Sequence, residues 1–220
     1  MSSADVFTTR ASDRGLNVRD GRFRLHREAL GAVADVRLPG AFQRDNTLMA
    51  LGMARLLGAE PDRLAAALPS VSALPHRLED LGFVRGVRVW DNGVSTTPDS
   101  TISVLASLGA QVTLLAGGKA KNLPLDELVA ASRGRVRRVV TFGSASGLVA
   151  GAYRAAGIEA HEATTVEDAL ETAFGLVKPG EELLFSPACA SFDQYANFKD
   201  RAMAFRRALR ARAESPVDAA

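Results

Sequence analysis

Cysteine is almost missing from this 220-residue chain. Cys189 stands alone, between two alanines, so no intrachain disulfide can form. A lone thiol of that kind fits a reducing compartment, and the chain reads as cytoplasmic. Flanked by small residues at the end of an apolar run, Cys189 reads as a small buried hydrophobe rather than a nucleophile. No apolar run approaches the roughly 18 residues that a membrane-spanning helix needs. The first fifteen residues, MSSADVFTTRASDRG, hold no hydrophobic signal core. Histidine is scarce too. His26, His76 and His161 are scattered without metal-ligand spacing, which leaves no Ser-His-Asp or zinc arrangement to argue. Excess charge of either sign is absent: 27 Lys and Arg face 25 Asp and Glu, a balance that argues against a nucleic-acid partner. The basic cluster RRALRAR at 206–212 reads as a solvated helix end. Neither GxGxxG nor GxxxxGK[ST] occurs, so the chain has no Walker-type phosphate loop, and a dinucleotide-type Rossmann enzyme is disfavoured.

Hydrophobic residues make up 47% of the chain, enough for a sizeable core. Residues 1–40 read as short strands and turns, with a hairpin about Asp20-Gly21 and a Pro-Gly stop at 39–40. Residues 45–57 carry helical spacing that Asp45 or Asn46 could cap, and 60–68 start a second helix with Pro61 in its first turn. From residue 71 the rhythm becomes alternating. GVRVWDNG, QVTLLAGG, VRRVVTFGS, a short IEAHEA and GEELLFSPA read as strands. Between them lie PDSTISVLASLG, PLDELVAASRG, ASGLVAGAYRAAG and TVEDALETAFGLV, which read as helices, and a long helix at about 195–212 closes the fold. Unbroken apolar strands separated by helices imply an α/β fold, a doubly wound, mostly parallel Rossmann-like sheet. The expected division is 1–70, 71–214 and a disordered tail at 215–220.

In a parallel sheet, ligands sit beyond the carboxyl ends of the strands. Four strand ends here carry polar loops: WDNGVSTTPDST, LLAGGKAKN, VTFGSASG and LLFSPACASFDQ. Together they offer Asn92, Ser95, Thr96, Thr97, Lys119, Lys121, Ser144, Ser191, Asp193 and Gln194. Such a mouth hydrogen-bonds well and is mildly cationic, which suits a small anion. The carboxylate pairs Glu79-Asp80 and Glu181-Glu182 read as solvated surface charge, and His76-Arg77 as a linker or core contact.

LPHRLE at 74–79, STTPDST at 95–101, LLAGGKAK at 114–121 and LLFSPACASFDQYANFKDRAMAF at 183–205 follow one another in this order. The set resembles the C-terminal part of the Mur ligases, in the branch that adds glutamate to UDP-N-acetylmuramoyl-L-alanine. The string SPACASFDQ…NF…R…F is its most specific element, and LPGAFQRDNTLMALGMARLLG resembles the end of that family's central domain. The likeness runs from about residue 5 to 212. It implies that residues 1–70 are the remnant of an ATP-binding domain and 71–214 a glutamate-binding domain. It also implies a cytoplasmic ligase of peptidoglycan synthesis that needs ATP and Mg2+, both held mainly by N-terminal and central domains missing from this chain. The activity implied is phosphorylation of the alanyl carboxylate by ATP, followed by attack of the glutamate amine on the acyl phosphate. Matched position by position, Thr96, Lys121, Ser191, Phe192 and Phe198 fall on the glutamate pocket. Asn46, Arg77 and Asn92 fall near the nucleotide, with Arg77 at an interdomain hinge. Asp193 and Gln194 would serve as helix cap and pocket support.

The chain departs from the family pattern in three places. The loop usually written DSKAT is Asn92-Gly93-Val94-Ser95-Thr96, so the lysine is Val94. The usual aspartate is Asn92, and the first two residues of HNxxN are Phe42-Gln43. Loss of that lysine is compatible with L-glutamate rather than D-glutamate as the amino acid. With no phosphate loop of its own, the chain is expected to form no amide bond alone. An orphan amino-acid or anion-binding module is the competing reading.

Overall fold

A computed structural model of the chain describes residues 15–109 and 111–214. The expected tail at 215–220 and the first fourteen residues lie outside the described residues. Two compact units divide between Ala73 and Leu74.

In the first unit, β1 (Leu16–Arg19), β2 (Arg22–Leu25) and β3 (Glu28–Ala32) form an antiparallel meander. The Asp20-Gly21 corner has positive φ at both residues, +50° and +68°. That is the twist a two-residue hairpin turn requires. α1 (Ala41–Leu56) and α2 (Pro61–Ala67) follow. α1 starts four residues before the expected cap: Gly40, at φ +95°, is its N-cap, and Asp45 and Asn46 lie inside the helix. The Pro39-Gly40 stop itself supplies the turn, leaving no role for a later cap. Leu16, Phe23, Leu25 and Leu30 from the meander close on Leu48, Leu51, Leu64 and Leu68. The hairpin therefore buries its apolar side. The exposed large apolar side chains described in this unit are Met49, Met53 and Leu56 on α1, Leu57 just after it, and Val71.

The second unit is a six-stranded sheet in the order β4-β5-β9-β6-β7-β8. Its strands are β4 (Glu79–Val84), β5 (Val87–Asp91), β6 (Val112–Gly117), β7 (Val136–Phe142), β8 (Glu159–Glu162) and β9 (Glu182–Ala188). All neighbours are parallel except β4 and β5. β4 is unanticipated. It is an edge strand turned back on β5 through Arg85-Gly86, both at positive φ. The core strands β6 and β9 are buried along almost their whole length, as sheets covered on both faces must be.

Side chains alternate along each strand. Val87, Val89, Leu115, Val140, Phe142, Leu183 and Phe185 share one core cluster with α6 (Val166–Leu176) and α7 (Phe198–Glu214). Phe185 stacks on Phe205 with centroids 4.2 Å apart. The residues between them on the strands, such as Leu114, Val139 and Leu184, point to the other face. There α3 (Pro98–Leu105), α4 (Asp126–Ser132) and α5 (Ser146–Ala155) pack in a row. β9, last in the chain, is inserted between β5 and β6. Three strand ends from distant parts of the sequence thus stand side by side: residues 91, 117 and 188.

Candidate functional site

The loops that leave β5, β6, β7 and β9 share the carboxyl edge of the sheet, and backbone hydrogen bonds sew them together. The Lys119 amide donates to the Ala190 carbonyl (2.8 Å) and the Ala190 amide returns to Lys119 (3.0 Å), a two-residue bridge between the β6 and β9 loops. Gly118 donates to Phe142 (2.9 Å) and accepts from the Ala145 amide (2.8 Å), tying in the β7 loop. Gly118 must be glycine: φ is +120°, and an added Cβ would lie 2.2 Å from the Ala190 carbonyl oxygen. The Ala188 amide donates to Ser95 Oγ (3.3 Å), which joins the β9 end to the β5 loop. Ala188 itself sits at φ +60°, an uncommon conformation for a residue with a Cβ, at the point where the chain turns out of β9.

Thr96, Lys121 and Ser191 come to one rim through these stitches. Thr96 follows Ser95 and is half-buried; Ser191 follows Ala190 and is buried; Lys121 is exposed beyond the bridge. Phe192 is 67% exposed, and Phe198 is half-buried as the first residue of α7. Two supporting roles differ from expectation. Asn197, not Asp193 or Gln194, caps α7, accepting from the Asp200 amide (3.0 Å) and donating to the Asp200 carboxylate (2.8 Å). Asp193 instead accepts from the Ser144 amide (2.9 Å), and Gln194 donates to the Thr164 carbonyl (2.8 Å). Asp193 thus ties the β9 loop to the β7 loop, and Gln194 ties it to the turn between β8 and α6. Cys189 is buried, and burial pushes its thiol up to about 11, so it is no nucleophile at neutral pH.

Asn92 lies beneath the rim, 1% exposed. Its carboxamide accepts from the Leu78 amide (3.2 Å) and donates to Ser186 Oγ (3.0 Å). Ser186 meets Thr101 at 2.7 Å, and Thr101 meets Ser95 at 2.9 Å. A buried chain of side chains thus runs from the segment that bears Arg77 to the loop that bears Thr96. Arg77 is half-buried between His76 and Leu78, both at positive φ (+63° and +48°). What holds this unusual segment is an ion cluster that the sequence concealed. His76 Nδ1 lies 2.8 Å from Asp91 Oδ2, and Arg206 Nε donates to the same oxygen at 2.7 Å. Arg206 also binds Glu79, whose carboxylate accepts from the His76 amide at 3.1 Å. Burial works against the Glu79 charge, yet the bonds from Arg206 and the His76 amide hold its carboxyl below the ordinary range. Asp80 likewise pairs with Arg88 at 2.7 Å. The reading of Glu79 as solvated charge, and of Arg206 as a free helix-end cation, is therefore corrected, because the two pair with each other far apart in sequence; Asp80 remains an exposed charge, paired across the β4–β5 hairpin. Asn46 belongs to the first unit, exposed on α1, with its amide 3.4 Å from Gln43 Oε1.

The remaining member of the site, Arg201, is the arginine of the SPACASFDQ…NF…R…F string, for which the sequence suggested no role of its own. Among the described residues it is the largest fully buried side chain, and it lies directly under the rim. Its guanidinium donates to the carbonyls of Cys189 (2.8 Å), Ala190 (3.1 Å), Gly117 (3.4 Å) and Ser95 (2.9 Å). Its spacing from Phe205 and Leu209 on the buried face of α7, at i+4 and i+8, was the available signal. Among the described residues no group of three His, Cys, Asp or Glu side chains could hold a metal ion. No described helix is long and apolar enough to cross a membrane.

No family model matches the chain. Curated relatives do. The UDP-N-acetylmuramoylalanine–D-glutamate ligase of Lactobacillus acidophilus is 33% identical over 181 residues, 82% of this chain and 39% of that protein. Its counterpart in Lactobacillus helveticus is 32% identical over 201 residues, 91% and 42%. That of Myxococcus xanthus is 37% identical over 174 residues, 79% and 38%. The chain thus spans about two fifths of the length of these relatives. Among solved structures, a murein peptide ligase from Psychrobacter arcticus aligns with a TM-score of 0.65 at 13% identity, covering 94% of this chain and 45% of that one. A folylpolyglutamate synthase of Mycobacterium tuberculosis, complexed with ADP, aligns at 0.60 and 17% identity, covering 79% and 41%. At these identities the structural likeness speaks for the fold, while the curated relatives and the ordered loop motifs speak for descent; together they place the chain in the Mur ligase family, with the fold of that family's C-terminal part.

Proposed function

We infer that this chain is the amino-acid-receiving part of an ATP-dependent ligase that joins glutamate, most simply D-glutamate, to UDP-N-acetylmuramoyl-L-alanine. The observation that carries the reading is the convergence of Thr96, Lys121 and Ser191 at one sheet edge, in a chain 32–37% identical to D-glutamate-adding ligases. Lys121 would attract a glutamate carboxylate. Ser191 and Thr96 would hydrogen-bond it, and Phe192 and Phe198 would cover its methylenes. ATP, bound mainly by the rest of such an enzyme with Mg2+, would turn the alanyl carboxylate into an acyl phosphate. This chain's part would be to present the glutamate amine, which forms the amide bond as phosphate leaves and the nitrogen gives up a proton. That is catalysis by orientation rather than by a nucleophile or base of the chain's own. By the family resemblance, Arg77 would face the nucleotide, and Asn46 is a nucleotide-binding candidate of the first unit. Asn92, spent on Leu78 and Ser186, would act on the nucleotide only by setting the segment around Arg77. With no phosphate loop, the chain by itself is expected to release no phosphate from ATP.

Titrating the isotope-labelled chain with D-glutamate and L-glutamate tests this directly. Amide shifts should saturate at Thr96, Lys121 and Ser191 with one enantiomer and weaken at least tenfold in a Ser191→Ala, Lys121→Ala double variant. Absence of any saturable shift at these residues would overturn the assignment. A preference for the L form would trace to Val94, which stands where the family motif has its lysine. ATP turnover by the purified chain would overturn the dependence on other domains.

A further inference from the structure

We propose that Arg201 is the specificity-determining positioning residue of the rim: it clasps three of its loops and supplies an internal positive charge that an acidic ligand neutralises. The proposal rests on the amino-acid site argued above and adds to it the origin of its selectivity for a doubly charged acid.

Three features of Arg201 are costly unless something acidic arrives. First, the side chain is 0% exposed, and its ligands are neutral carbonyls from the β5 loop (Ser95), the end of β6 (Gly117) and the β9 loop (Cys189, Ala190). None of the described carboxylates pairs with it, and the Asp193 carboxylate on the same loop is engaged by the Ser144 amide. A guanidinium in this setting stays ionised, so its charge is solvated by dipoles but not cancelled. Second, its Nε is buried with no hydrogen-bond partner. Third, it is the fourth residue of α7, in the positive first turn of a helix where acidic residues are favoured. A loop fastener could be neutral and could sit elsewhere. A buried cation kept under a rim that already carries Lys119 and Lys121 makes sense if the rim's occupant brings negative charge. Inside low-dielectric protein that attraction is weakly screened, in contrast to that of the two exposed lysines. Burial pulls the guanidinium down to about 10, which still leaves it charged at neutral pH.

Replacing Arg201 by citrulline removes the charge at nearly constant shape; one terminal NH2 becomes a carbonyl oxygen that can no longer donate, so a neutral ligand is measured beside the acidic one to register the fastening lost with it. Cys189, the chain's single cysteine, makes the variant accessible: a thioester of residues 1–188 can be ligated to synthetic 189–220 and the full chain refolded, with an Arg201 chain made in the same way as reference. Binding of glutarate and of its neutral diamide, glutaramide, is followed by NMR titration, and folding by Trp90 fluorescence. Arg201→citrulline should weaken glutarate about tenfold or more beyond any loss for the diamide. Arg201→Lys, which keeps the charge but not the fork, should retain the preference for glutarate over the diamide even if both bind less well. Equal glutarate affinity in the citrulline chain would overturn the proposal, as would parallel losses for both ligands, because the residue would then be only a fastener. Should the citrulline chain fail to fold, loss of the glutarate preference in Arg201→Lys overturns it and retention supports it. If the Arg201 chain binds neither glutamate nor glutarate, the amino-acid reading of the rim fails first, and this inference with it.

Discussion

Arg206→Ala is the perturbation that most directly measures what holds the segment around Arg77. Arg206 donates at 2.7 Å to Asp91 and binds Glu79; Asp91 is 0% exposed, while the Arg206 side chain is 18% exposed. Removing one member of a buried ion pair costs about 3–5 kcal/mol, mostly because the survivor is left charged and dry. Here the cost is smaller on two counts. His76 Nδ1 remains 2.8 Å from Asp91, and the Gly93 amide still donates to its other oxygen at 2.8 Å. Glu79 is 34% exposed and recovers water. About 2–3 kcal/mol is therefore expected, in the range of lost hydrogen bonds to charged groups. Trp90 is the only tryptophan, 6% exposed and adjacent to Asp91, so its fluorescence reports denaturant unfolding of the second unit alone. Asp91→Asn should cost a similar amount, and the Asp91→Asn, Arg206→Ala double variant should cost clearly less than the sum of the two single changes. A loss below about 0.5 kcal/mol for Arg206→Ala, the size of an exposed surface pair, or strict additivity in the cycle, would refute the argument that this cluster is a buried, coupled unit.

Three further outcomes follow from the same geometry. Glu79 and Asp80 both titrate below their ordinary range in the fold: burial opposes their charge, but Arg206 and Arg88 outweigh it. Their stabilising contribution is thus complete above the unfolded values near pH 4 and lost as the pH falls through the lowered folded values, so the unfolding midpoint should drop below about pH 4 and Glu79→Gln should flatten that slope. Cys189, its thiol pushed up to about 11 by burial, should resist iodoacetamide at pH 8 in the native chain and react at once in denaturant; fast native labelling would show that the rim opens. Gly118→Ala puts a methyl 2.2 Å from the Ala190 carbonyl at φ +120°, so it should break the Lys119–Ala190 bridge, cost about 2–4 kcal/mol and abolish glutamate-dependent shifts at Ser191.

What could be read without coordinates, and what could not, divides along the range of the forces involved. QVTLLAGG, VRRVVTFGS and GEELLFSPA announce themselves because a strand buried on both faces must be apolar throughout. Once they are parallel, the polar loops after them have to share an edge, so the rim was legible. β4 was not: it is an edge strand whose residues are mostly half-buried or exposed, and its Arg85-Gly86 corner lacks the Asn-Gly or Asp-Gly signature. The charge clusters were hidden for a different reason. Glu79 and Arg206 lie 127 positions apart, and nothing local distinguishes Arg206 from Arg207, Arg210 or Arg212. Which of those arginines is a surface charge and which an interior part is set by the rotation of α7 about its axis. That rotation is fixed by Phe205 stacking on Phe185 and by Ala202 and Leu209 on the same buried side. Arg201 and Arg206 flank that apolar contact, one turned under the rim and the other toward Asp91. A single hydrophobic docking event thus orients both cations, and any variant that rotates α7, Phe205→Ala foremost, should disturb the loops under Ser191 and the segment around Arg77 together.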